Sequence, residues 1–93
     1  MNHRKFKYTF LDGGEWTIEV TKKGLASDDL GEYDEDNNRI VIHPGQDGAD
    51  LMDTIIHELT HRAFPNAGEA RVAQFANDVT MILERFGYRR SKR

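Results

Sequence analysis

Asp50-Leu51-Met52-Asp53-Thr54-Ile55-Ile56-His57-Glu58-Leu59-Thr60-His61-Arg62-Ala63-Phe64 reads as one helix with two differently furnished sides. At roughly 100° per residue, Leu51, Ile55, Leu59, Met52, Ala63 and Ile56 fill one continuous apolar arc, and His57 and His61 fall outside it. The arc is expected to face a sheet and the imidazoles to form a separate stripe. Residues four apart lie one turn apart on the same face, so two imidazoles at that spacing can grip one cation. With Glu58 between them they make the pattern His57-Glu58-x-x-His61. In that pattern two histidine nitrogens hold Zn²⁺ and the carboxylate is aimed at a water on the metal.

Signals on either side bound this helix. Pro44 and Gly45 close the segment before it, and Asp47 or Asp50 can cap its start. Pro65-Asn66-Ala67-Gly68 breaks the chain after it. A second helix is expected over residues 69–86, because Val72, Phe75, Ala76, Val79, Ile82, Leu83 and Phe86 recur at three- and four-residue spacing before Gly87. Upstream, Phe6, Tyr8 and Phe10 alternate with polar residues, as do Trp16, Ile18 and Val20, and Asp12-Gly13-Gly14 lies between the runs. That is a hairpin signature. A second hairpin is expected to join residues 31–33 to 39–43 through the acidic and Asn-rich turn at 34–38. The same turn lacks the Gly and distal Glu of an EF-hand calcium loop. The fold expected is α+β: one domain over residues 1–93, with a small antiparallel sheet of N-terminal hairpins packed on a C-terminal αα-hairpin that carries the metal helix.

Two protein ligands hold zinc weakly, and catalytic sites use three while leaving a position for water. Glu69 opens the second helix directly after a four-residue turn. Antiparallel helices pack about 8–10 Å apart, so a carboxylate there can reach the end of the first helix that carries His61. Glu69 also lies about 20° from Ala76 on the helical wheel, which points it toward its neighbour. Asp78 projects to the opposite side, and Glu84 lies about 22 Å further along the axis. Asp53, one turn before His57, is placed to accept the free N–H of that ring. His43 and Tyr33 are more distant candidates, as donor or ligand and as oxyanion stabiliser; Tyr88 lies beyond the far end of the second helix.

The 93 residues include 38% apolar and 31% charged residues with a net charge of −3, so no global basic field argues for nucleic acid. Basic residues gather at 3–7 and at Arg89, Arg90, Lys92 and Arg93. Cysteine is absent, which removes disulfides, thiolate nucleophiles and every zinc site that needs a thiolate. No apolar run has the length of a membrane span or the form of a signal peptide, and the compartment expected is the cytoplasm.

With His57-Glu58-x-x-His61 and Glu69-Ala70-Arg71-Val72-Ala73-Gln74-Phe75-Ala76 both placed, residues 50–86 resemble the ImmA/IrrE-type zinc metallopeptidases, and more broadly the compact gluzincin-like H-E-x-x-H proteins of bacteria and phages. Glu69, Phe75 and Ala76 fall on that family's second pattern. Val72 and Ala73 stand where it prefers Ala and Asn, and Thr60 replaces its common Gly. The resemblance implies one zinc per chain on His57, His61 and Glu69, Glu58 as catalytic acid/base, and hydrolysis of a peptide bond in a protein substrate. The substrate would add as an extended strand along a sheet edge, for which residues 40–43 are the expected strand. The rival reading is a zinc-binding regulatory module without turnover. Nucleic acid and membrane are not expected partners.

Overall fold

The computed structural model of the chain describes residues 4–26 and 28–88. The basic residues His3, Arg89, Arg90, Lys92 and Arg93 lie outside the described residues. The fold is α+β, with four strands followed by two helices: β1 (Arg4–Thr9), β2 (Glu15–Val20), β3 (Gly31–Asp34), β4 (Arg39–Ile42), α1 (Gly48–Ala63) and α2 (Glu69–Arg85). The chain divides into two units, Met1–Pro44 with the sheet and Gly45–Arg93 with the helices.

Both expected hairpins form. In the first, the Phe10 N–H donates to the Gly14 carbonyl at 2.8 Å and Gly13 adopts φ +95°, a conformation open to glycine without steric penalty. The Asp12 carboxylate accepts from the Gly14 N–H at 2.9 Å and braces the turn. In the second, a short 3-10 turn over Glu35–Asn37 joins β3 to β4. Asp34 caps it, accepting from the Asn37 backbone N–H and side-chain amide. Asn38 then turns the chain at φ +50°, a region that Asn tolerates.

The sheet is mixed rather than wholly antiparallel. Its order is β1-β2-β4-β3, with β2 and β4 parallel and the two outer pairs antiparallel. The chain leaves β2 through residues 21–30, lays β3 at the far edge and returns β4 between β3 and β2. Thr21 donates to Ile42 and His43 to Leu30, which fixes both ends of the crossover. Local alternation specifies each hairpin but carries no information on which hairpins meet, and that is why the parallel pair was not anticipated. Ile40-Val41-Ile42 does carry the signal of the outcome. An unbroken apolar run suits a strand covered on both faces, and all three residues are buried. Residues 40–42 are thus interior to the sheet, and the expectation that residues 40–43 offer a free edge to a substrate strand is overturned. The edges are β1 and β3. Trp16 is buried on β2 and stacks on Tyr33 of β3 with ring centroids 5.4 Å apart.

In the helical unit the buried seam of α2 is Val72, Ala76 and Thr80, spaced by four. Phe75, Ile82 and Phe86 of the expected arc are exposed instead. On α1 the buried residues are Leu51, Thr54, Glu58 and Thr60, while Ile55, Leu59 and Ala63 are exposed. The expected apolar arc is therefore split: Leu51 is buried, Met52 and Ile56 are half-buried, and Ile55, Leu59 and Ala63 are exposed. No helix among the described residues is long and apolar enough to cross a membrane.

Candidate metal centre

The two helices meet through the polar stripe of α1. His57 and His61 project from successive turns with ring centroids 4.9 Å apart. Both aim Nε2 at the same carboxylate: His57 Nε2 lies 2.9 Å from Glu69 Oε2, and His61 Nε2 lies 2.8 Å from Glu69 Oε1. Glu69 reaches them because it opens α2 after the break at 64–68, where Ala67 N–H closes a turn on the Phe64 carbonyl at 3.0 Å. It continues the seam of Val72, Ala76 and Thr80, so its side chain leaves α2 on the side that meets α1.

The rotation of α1 accords with this pairing. Leu59 lies two residues from each histidine, about 160–200° around the helix. Turning the imidazoles toward α2 therefore turns Leu59, with Ile55 and Ala63 on either side, away from it. Two hydroxyls on the covered side are satisfied locally. Thr54 Oγ1 donates to Gln46 Oε1 at 2.6 Å, and Thr60 Oγ1 to the Ile56 carbonyl at 2.7 Å. Both threonines lie on the imidazole side of the helical wheel, which is the signal the sequence carries for them.

The donor set fits a divalent cation of the zinc type. One nitrogen from each imidazole and one carboxylate oxygen lie within 4.8 Å of one another. Bonds of about 2.0–2.2 Å around tetrahedral zinc separate ligand atoms by roughly 3.3 Å, so shifts of about 1 Å gather the three. Glu69 has the freedom to shift, its side chain being 71% exposed, whereas the imidazoles are held at 20% and 19%. In the arrangement seen, each Nε2 can donate a proton to the carboxylate. Ligation would use the lone pair of that same nitrogen, with the ring proton on Nδ1.

The other expected residues are distributed unevenly. Glu58 is buried on α1, 8% exposed, immediately after His57. Asp53 makes no hydrogen bond to His57 among the described residues: its Oδ1 is buried without a partner, and the bond His57 does make is to Glu69. His43 follows β4 and Tyr33 stacks on Trp16, so both belong to the sheet unit. Tyr88 is exposed beyond α2. Comparison with known proteins finds no matching family model, no matching curated protein and no matching solved structure.

Proposed function

We propose that the chain is a zinc-dependent metallopeptidase in which His57, His61 and Glu69 hold one Zn²⁺ and Glu58 is the general base. The observation that carries this reading is the convergence of both imidazole Nε2 atoms on one carboxylate of the neighbouring helix. Bound there, zinc would polarise a scissile carbonyl and lower the pKa of a water toward neutrality. Glu58 takes the proton of the attacking water and returns it to the leaving amine. His57 and His61, confined by α1, fix the position of the site. The more exposed Glu69 closes it from α2. The substrate is a peptide bond in a protein, and the resemblance to ImmA/IrrE-type enzymes supports the same class.

A comparison of new protein N-termini in cells expressing wild type or Glu58→Gln tests turnover and names the substrate together. The reading predicts termini that depend on Glu58, with zinc content equal in the two proteins. Identical sets of termini would reject peptide hydrolysis, and equal zinc content alongside them would favour the zinc-binding module without turnover.

A further inference from the structure

Strand β1 stands at one edge of the sheet, and all six of its residues are exposed. Arg4, Lys5 and Lys7 give it three cations, and the strand contains no acid. None of these three cations forms an ion pair among the described residues. The strip is a local reversal of sign on a chain whose net charge is −3.

The backbone of this edge is as specific as its charge. The Phe10–Gly14 hydrogen bond sets the phase of the antiparallel ladder. Arg4, Phe6 and Tyr8 then turn their backbone groups toward β2, while the N–H and C=O groups of Lys5, Lys7 and Thr9 point outward. Such a row is a template for one more strand. Side chains alternate across it. Lys5 and Lys7 line one face; Phe6 and Tyr8 line the other, 55% and 50% exposed, with Tyr8 in edge contact with Phe10 at 4.9 Å. Antiparallel pairing of β1 with a second copy of itself would set these cations against like charges, which is destabilising. A strand with acids at alternate positions meets opposite charges instead, and its remaining side chains lie on the aromatic face.

We propose that the β1 edge is a docking strand for an extended acidic segment of a partner protein. The segment adds to the sheet through the backbone groups of Lys5, Lys7 and Thr9, its carboxylates facing the lysines and its apolar side chains facing Phe6 and Tyr8. A single-stranded nucleic acid would share the charge and the stacking, but it makes no use of the outward backbone row. Docking here is independent of the metal centre.

The test is fluorescence anisotropy of the full chain with a labelled alternating glutamate–valine peptide of about eight residues. Saturable, salt-sensitive binding is expected, weakened at least about tenfold by Lys5→Glu/Lys7→Glu. The same loss is expected for peptides N-methylated at alternate residues in at least one of the two registers, a control that leaves the protein untouched. His57→Ala should bind as wild type does, so failure of the metal reading is separable from failure of this one. No saturable binding would overturn the proposal. So would equal binding of a lysine–valine peptide, equal binding of both N-methylated peptides, or displacement by an oligothymidylate at lower concentration than by the unlabelled peptide.

Discussion

Strand β4 carries Ile40-Val41-Ile42 and helix α1 carries Ile55-Ile56 with Leu59, and the fold treats them differently. Ile40, Val41 and Ile42 are at most 2% exposed, whereas Ile55 and Leu59 stand 38% and 36% exposed. The hydropathy of the two stretches does not separate them; their neighbours do. In β4 both backbone edges are taken, by β2 on one side and β3 on the other. Its register is held from both sides, and Ile40, Val41 and Ile42 are buried within that frame. In α1 the backbone is satisfied within the helix, which leaves rotation about its axis free. In the rotation adopted, His57 and His61 meet Glu69, and Ile55 and Leu59 are exposed.

The largest expected effect tests the β4 side. Ile40→Ala should lower unfolding free energy by about 2–5 kcal/mol, read from urea denaturation of wild type and variant. A loss below about 1 kcal/mol would mean that the site collapses or is not a core position. On the α1 side, zinc at about a hundred times its dissociation constant should stabilise the chain by about 2.7 kcal/mol, seen as a raised melting temperature. His61→Ala should abolish that response. A shift that persists in the variant would place the cation elsewhere.

A smaller effect concerns the seam that α2 buries. Thr80 is 2% exposed and its Oγ1 has no hydrogen-bond partner. Thr80→Val keeps the shape and removes a desolvated hydroxyl, so a gain of about 1 kcal/mol is expected in the same denaturation experiment. Destabilisation would show that the hydroxyl is bonded in solution. The smallest effect completes the contrast with Ile40. Leu59→Gln, on the outward arc, should change stability by no more than about 0.5 kcal/mol. A loss comparable to that of Ile40→Ala would show that the arc is covered.

The elements of this molecule were legible in its sequence to the extent that they are local. Period-two alternation around Asp12-Gly13-Gly14 marks the first hairpin, and the breaks at Pro44-Gly45 and Pro65–Gly68 bound α1 to within two residues. Glu69 was legible as well. A four-residue turn leaves the first acid of α2 within reach of His61, and the geometry brings it to both rings. The partnership of β2 with β4 was not legible, because pairing across residues 21–38 leaves no periodic trace in either strand. Nor was the outward rotation of α1. An apolar arc is ordinarily the covered one, and here Ile55, Leu59 and Ala63 of it are exposed. The same inversion moves Thr54 and Thr60 from background to the support of the site.

Zinc content and affinity of wild type, His57→Ala, His61→Ala and Glu69→Ala test the convergence of these side chains most directly. The convergence predicts about one zinc per wild-type chain and, for each variant, an affinity reduced by more than about a hundredfold, beyond what loss of an outer supporting group costs. Glu69→Ala decides the matter, because its side chain is exposed and its loss should leave the helices folded. Wild-type zinc affinity in that variant would contradict the site.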